Sequence, residues 1–230
     1  AYLASPAVVA ASALAGHIAS PAAYEPCVLR TRIERTPVTP RRGGVGLIEG
    51  FPASITGRVL WLPVDNLNTD GIYSGAMTYR DDVTPDEMAE AAMENYDPAF
   101  TGIAKSGDII VSGLNFGTGS SREQAATCLK VRGIACVIAA SFSQTYVRNA
   151  INNGFICLNC PDLVAALRNL HRGSDAATIE AGELMIDFGQ AEATLGSETF
   201  AFTPLGKVPQ EIIVAGGAEN VVAERLAATS

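Results

Sequence analysis

Histidine is scarce in this sequence, with 2 among 230 residues, and bases are outnumbered: 16 lysines and arginines face 24 aspartates and glutamates. The net charge of −8 disfavours non-specific binding to nucleic acid, which needs cations to neutralise phosphates. No apolar run approaches the roughly 20 residues needed to span a bilayer as a helix. The 5 cysteines are odd in number and scattered, which suits a reducing compartment better than a disulfide framework. Cys157 and Cys160 form the one close pair. No second pair and no nearby histidine completes a metal site around them, so they read as structural residues at a strand end. The glycine-rich turn at 113–119 lacks the Gly-Lys-Ser/Thr of a Walker loop, and Arg122 replaces the third glycine of the dinucleotide fingerprint. The aspartates between 65 and 82 lack the spacing of a calcium loop. There is no internal repeat of solenoid type.

What is present begins with a helix over residues 5–16, with Ser5 as N-cap, Pro6 at the first helical position and Gly16 just past the end. It is apolar almost all round, as a buried helix is. No basic segment precedes it, so it does not read as a signal peptide. It reads instead as the truncated end of an earlier domain, and the missing initiator Met agrees. Residues 17–53 read as a linker, punctuated by Pro21, Pro26, Pro37, Pro40 and Pro52, with Gly43-Gly44 as a flexible point. Arg30, Arg32, Arg35, Arg41 and Arg42 give it the basic character of a solvated interdomain strap.

The compact part starts near Ile55, with a strand to Leu62 that runs into the loop Asp65–Asp82. Thr84-Pro85-Asp86-Glu87 is a capping box opening a helix to about Tyr96. Strands at 109–111, 134–139 and 155–158 alternate with helices at 125–131, 142–153 and 161–170, the pattern of parallel strands with crossover helices. From Thr178 onward short strands are expected at 178–181, 184–188, 192–195 and 199–203. Turns at Gly182, Gly189 and Gly196 separate them, as in an antiparallel set. Helices at 208–214 and 218–228 close the chain.

The stretch that organises the chain is Gly113-Leu114-Asn115-Phe116-Gly117-Thr118-Gly119-Ser120-Ser121-Arg122-Glu123. A strand feeding a glycine-rich turn that opens a helix makes an anion site, because backbone N–H groups point at the ligand. Two hydroxyls and a guanidinium stand at that helix start. Ser120-x-x-Glu123 is equally a capping box with no further role, and both readings stay open. Arg80 is either a ligand group or a surface arginine paired with Asp81 or Asp82.

Gly-Ser-Ser-Arg-Glu after such a turn resembles the signature of the swivelling domain of the aconitase family. Asp65-Asn66-Leu67-Asn68-Thr69-Asp70 resembles the earlier loop of that domain. Ala139-Ala140-Ser141-Phe142-Ser143, with Asn149 and Asn152-Asn153-Gly154, resembles its next strand, turn and helix. Residues 5–16 resemble the segment that closes the preceding catalytic domain. Asn68–Tyr73 with Thr78–Asp82 is most similar to the fungal homoaconitase branch. The resemblance implies an α/β fold, a β/β/α swivelling domain of mixed parallel and antiparallel strands with flanking helices. It implies the end of a preceding domain at 1–16, a linker at 17–53 and the swivelling domain at 54–230.

By the same resemblance the activity is that of a hydro-lyase interconverting homocitrate, cis-homoaconitate and homoisocitrate in lysine biosynthesis, in the mitochondrial matrix. Ser120 would be the base. Arg80, Ser121 and Arg122 would hold the tricarboxylic or substituted-malate substrate, with Asp70 and Asn115 supporting them. A 4Fe-4S cluster would be held by the preceding iron–sulfur domains of the same enzyme, with no ligand in this chain. No nucleic acid, membrane or metal site is expected here. Residues 73–79 sit where the family tunes substrate length. The fungal pattern has a proline and a lysine where this chain has Ser74 and Ala76. That keeps a second reading open, a small subunit or fragment of an isopropylmalate-type isomerase acting on another substituted malate. A third, an aconitase-derived RNA binder, is opposed by the acidic balance.

Overall fold

The computed structural model describes residues 4–21 and 46–227, which belong to two units divided between Thr39 and Pro40. The first unit holds helix α1 (Pro6–Ala15). The Ser5 hydroxyl accepts the Val8 N–H at 3.4 Å, Pro6 occupies the first turn, and Gly16, at φ +73°, donates its N–H to Ser12 O at 2.9 Å. The caps follow the sequence, whereas the burial expected of so apolar a helix is missing. Val9, Leu14 and Ile18 are exposed, and Ala11 is the buried residue of the helix. Most of the expected linker, residues 22–45 with its five arginines, lies outside the described residues.

The second unit is built on one seven-stranded sheet in the order β4-β3-β2-β1-β5-β6-β7. Its elements in chain order are β1 (Ser54–Leu62), the short helices α2 (Thr69–Ile72), α3 (Gly75–Thr78), α4 (Pro85–Glu90) and α5 (Phe100–Ile103), then β2 (Ile109–Ser112) and α6 (Gln124–Val131). There follow β3 (Cys136–Ala139), α7 (Gln144–Asn152), β4 (Ile156–Asn159) and α8 (Pro161–Leu170). The strands β5 (Ile179–Asp187), β6 (Glu192–Leu195) and β7 (Glu198–Ala201) come next, and α9 (Lys207–Val214) and α10 (Ala218–Ala227) complete the unit. Strands β1 to β4 are mutually parallel, while β1 pairs antiparallel with β5, and β5–β6–β7 form an antiparallel meander.

Burial follows the strand period of two. Leu60, Leu62, Ile110, Val137 and Cys157 face one side, where Ala125, Ala126, Cys128 and Leu129 of α6 and Tyr146 and Ala150 of α7 cover them. Val59, Trp61, Ile109, Val111, Ile138 and Leu158 face the other, against Leu163, Val164 and Leu167 of α8. Both faces are covered, which is why β2 and β3 are continuous apolar runs rather than alternating ones. Residues 46–53, expected within the linker, are folded onto this second face. Phe51 is buried and packs edge-on against Phe188 at 5.1 Å, and the buried Gln210 side chain accepts the Ile48 N–H at 3.0 Å.

Two expectations need correcting. The helix opened by Thr84 has both halves of its capping box, yet it stops at Glu90 rather than Tyr96. Met93 turns to φ +65° and gives its N–H to Ile72 O at 2.7 Å, so tertiary pairing overrides helix propensity there. The strands expected at 178–181 and 184–188 are one strand, β5. Between Arg58↔Glu183 and Leu60↔Glu180 the register slips, leaving Ala181 and Gly182 opposite Val59. Gly182, at φ +93°, is a bulge residue rather than a turn.

Candidate functional site

Strands β1, β2 and β3 end side by side, and the loops leaving them stay paired. Asn66 N–H donates to Leu114 O at 2.7 Å, Gly117 N–H to Leu67 O at 2.8 Å, and Thr69 N–H to Thr118 O at 2.8 Å. On the other flank Phe116 N–H donates to Ser141 O at 3.0 Å, and Ser143 N–H donates to Phe116 O at 2.9 Å. The ladder thus outlasts the strands and holds the glycine-rich turn between two neighbours. This is the carboxyl end of a parallel sheet, where α/β folds place their ligands. Asn115 belongs to the scaffold of the turn. At φ +56° it donates its backbone N–H to Ser141 Oγ at 2.8 Å and its amide to Asn66 Oδ1 at 3.0 Å. Arg168 of α8 anchors the Asp65 carboxylate at 2.6 Å, and the same carboxylate accepts the Leu114 N–H at 2.6 Å.

The chain reaches Ser120 and Ser121 at the exposed end of the turn. Ser120 N–H donates to the hydroxyl of the buried Thr69 at 3.2 Å. Neither the Ser120 nor the Ser121 hydroxyl has a hydrogen-bond partner among the described residues. The capping box between Ser120 and Glu123 is not formed. Helix α6 begins three residues later than such a box requires, and Glu123 precedes it in helical geometry with no side-chain cap. The competition between capping and chemistry at Ser120 is therefore absent.

Arg122 is tethered along one edge. Its Nη1 donates to Asp70 Oδ1 at 2.8 Å and to Tyr73 O at 3.1 Å, while Nε and Nη2 have no partner among the described residues. The Nε–Nη2 edge is the planar fork that takes a carboxylate in two parallel hydrogen bonds. Asp70 Oδ1 also accepts the Gly75 N–H at 2.9 Å, and Asn95 ties the Asp70 carbonyl at 2.9 Å. The Arg122 guanidinium, with help from the Gly75 N–H, holds the Asp70 carboxyl below its ordinary 3.8.

Arg80 is placed elsewhere. Its Nε and Nη2 donate to the two Asp82 oxygens at 3.1 and 3.2 Å, and Nη2 also reaches Glu87 Oε1 at 3.4 Å. The structure realises the surface ion pair for Arg80 and gives it no hydrogen bond to the Ser120–Arg122 corner. Arg122 and Asp70 are joined directly, Ser120 and Ser121 lead into Arg122, Asn115 ties the start of the turn to Asn66 and Ser141, and Arg80 is paired with Asp82 and Glu87.

Sequence reading overlooked Thr69, whose hydroxyl receives the Ser120 N–H, and Arg168, which lies 103 residues from the aspartate it anchors. Thr69 stood beside Asp70 in the motif and was the available signal. Nothing local pointed to Arg168.

The corner is open rather than enclosed. A cavity of about 340 Å³ is lined by Glu123, Asn152, Asn153 and residues 216–220, and by none of Ser120, Ser121 and Arg122. Among the described residues no three of His, Cys, Asp and Glu gather to hold a metal ion. The four described cysteines are free and buried, and burial pushes the Cys136 thiol up to about 12 and the Cys160 thiol to about 11. Cys157 faces the α6–α7 side of the sheet and Cys160 the α8 side, so the sheet itself separates them. These thiols do not fit an iron–sulfur cluster.

A family profile, the aconitase C-terminal domain, matches residues 37–163. Over 248 residues the chain is 44% identical to a protein of Candida albicans named mitochondrial homoaconitase, an alignment covering 98% of this chain and 36% of that protein. A protein of the same name from Mycosarcoma maydis is 39% identical over 272 residues, covering 98% of this chain and 37% of the relative. The chain thus spans little more than a third of the length of the curated relatives it matches. Among solved structures, a 3-isopropylmalate dehydratase of Methanocaldococcus jannaschii superposes with a TM-score of 0.65 at 32% identity, over 76% of this chain and 97% of that one.

Proposed function

The chain belongs to the aconitase family, and from that premise we propose that it is the substrate-gripping swivelling domain of a mitochondrial homoaconitase-type hydro-lyase. The observation that carries the reading is the open corner. Ser120 and Ser121, whose hydroxyls have no partner among the described residues, lead into Arg122, whose Nε–Nη2 fork has none among them either, at the end of a parallel sheet. Interconverting homocitrate, cis-homoaconitate and homoisocitrate requires a base for the proton on the carbon beside a carboxylate, and cations for the carboxylates.

Ser120 Oγ, as its alkoxide, takes that proton. An isolated serine hydroxyl is far too weak an acid for this, so its surroundings must favour the anion. Arg122 supplies positive potential two residues away. The Arg122 fork holds a substrate carboxylate, and the Ser121 hydroxyl donates to oxygen as charge builds. Asp70 fixes Arg122 by its other edge. Arg80 reaches the far carboxylate by exchanging Asp82 for substrate, an exposed pair that costs little to open. A 4Fe-4S cluster, for which the described residues offer no ligands, would belong to domains outside this chain and would supply the Lewis acid for the hydroxyl that leaves as water.

The domain division follows. Residues 1–16 end a preceding domain, and the exposed apolar side chains of α1 suit a helix that packs into one. Residues 17–53 are the linker, of which 46–53 are folded onto the swivelling domain proposed for 54–230.

A second reading, a small subunit or fragment of an isopropylmalate-type isomerase, is favoured by the structural neighbour, which this chain covers almost whole. The two readings differ in residues 73–79. Ser74 caps α3, and Gly75 is tied to the aspartate that holds Arg122, so this segment borders the grip.

The test is turnover by the intact enzyme, the preceding domains included, on cis-homoaconitate and on alkyl-substituted maleates. The isolated 230 residues are expected to give no turnover even with iron and sulfide. Turnover by the chain alone defeats the division of labour. A preference of the intact enzyme for isopropylmaleate selects the second reading.

A further inference from the structure

Beneath the glycine-rich turn stands the ring of Tyr146, from α7. The residue is buried, and a Cβ on Gly117, whose φ is +74°, would lie 2.3 to 2.6 Å from its ring and Cβ atoms. The turn therefore rests directly on the ring, with no layer between them. Phe142 stacks parallel to Tyr146 at 6.2 Å, and Phe116 meets it edge-on at 5.2 Å. Phe116 also meets Phe142 edge-on at 5.9 Å. The same Phe116 exchanges two backbone hydrogen bonds with the loop after β3.

The Tyr146 hydroxyl is buried without a partner among the described residues. The ring and Cβ are the parts of Tyr146 that meet the turn. Its support runs through Gly117 and Thr118 to Ser120, which is three residues further on and is steadied by Thr69. Arg122 is steadied by Asp70, the neighbour of Thr69 on α2, and by Tyr73. Both residues lean on the β1–β2 crossover, and Ser120 has in addition the turn that rests on Tyr146.

We propose that Tyr146 is a positioning residue for the proton-transfer step, its ring fixing the Gly117 turn so that Ser120 Oγ stands at the reacting carbon. The proposal rests on the homoaconitase-type reading of the corner. A plain core role would lower stability and leave the kinetics of the folded enzyme alone. A positioning role lowers kcat in the folded enzyme and spares KM, because small misplacements of a reacting group are expensive.

The experiment is steady-state kinetics of the intact enzyme on cis-homoaconitate, with the folded fraction measured for each variant. Tyr146→Phe keeps the ring and is expected to keep kcat and KM. Tyr146→Leu is expected to lose on the order of 100-fold in kcat with KM unchanged. Phe142→Leu, which removes the ring stacked on Tyr146, is expected to lose less in the same direction, and it carries the test if Tyr146→Leu does not fold. Unchanged kcat in the folded leucine variants overturns the proposal, as does a loss confined to KM. So does a Tyr146→Phe defect as deep as that of Tyr146→Leu, since the hydroxyl would then be the acting group. Ser120→Ala separates the two levels. If it turns over like the wild type, the reading of the corner fails and takes the proposal with it. If it is inactive while the Tyr146 variants are normal, only the proposal fails.

Discussion

The two halves of the sheet share β1 and behave differently. On its parallel side, β2 and β3 are buried residue by residue, and helices cover both faces. On its antiparallel side burial alternates along β5, with Leu184 and Ile186 inside and Glu183 and Met185 outside. Covered on both faces, the parallel half meets solvent mainly at its strand ends, and there its loops stay in register for several residues past the strands. The antiparallel half carries no residue of the candidate site. It closes the core and absorbs its one irregularity at Gly182. Pairing that continues from the parallel strands into their loops, rather than any feature of the glycine-rich turn alone, holds the turn that carries the exposed Ser120, while Arg122 is held by Asp70 and Tyr73.

That contrast can be broken most strongly at Gly117. Gly117→Ala would drive a methyl into the Tyr146 ring at a left-handed φ, and should cost about 3 kcal/mol in urea unfolding of this chain. Next comes the grip. Arg122→Lys replaces a planar fork by a point charge, and in the intact enzyme should raise KM about tenfold, near 1.4 kcal/mol, with a smaller effect on kcat. The matching glycine change in the antiparallel half should be milder. At Gly182 a Cβ meets only Leu195 Cδ1, at 3.7 Å, so Gly182→Ala should cost about 1 kcal/mol, from the φ alone. Equal losses at Gly117 and Gly182 would erase the distinction between the halves.

The smallest effect is electrostatic. Arg122 lowers the folded-state pKa of Asp70, so the pair stabilises the protein above the ordinary carboxylate value of 3.8, and that contribution is lost as pH falls through the lower folded value. Asp70 is more than half exposed, so the difference between wild type and Asp70→Asn should stay under about 1 kcal/mol at neutral pH. It should vanish in acid. A difference that grows on acidification contradicts the pairing.

Much of this was legible in the sequence where the cause is local. Thr84 capping with Glu87, Pro161 opening α8, Gly16 ending α1 and the apolar strands of the parallel half all depend on residues within a few positions of one another. What escaped depends on distant partners. Helix α4 ends early because Ile72 claims the Met93 N–H, and β5 runs on through Gly182 because β1 holds both its ends. Local pattern could not choose between the two readings of Ser120. The capping box does not form because α6 starts late, and the Ser120 N–H is taken instead by Thr69, about fifty residues upstream. Arg80 shows the reverse, a residue whose nearest acids, Asp82 and Glu87, claim it in this structure.

The central claim is that Ser120 performs chemistry at the end of the parallel half and is not a helix cap. The direct measurement is kcat, substrate affinity and thermal stability of Ser120→Ala in the intact enzyme. Loss of on the order of 1,000-fold in kcat, with affinity and melting temperature nearly unchanged, is the expected result. Retained kcat would contradict it, whether or not stability falls.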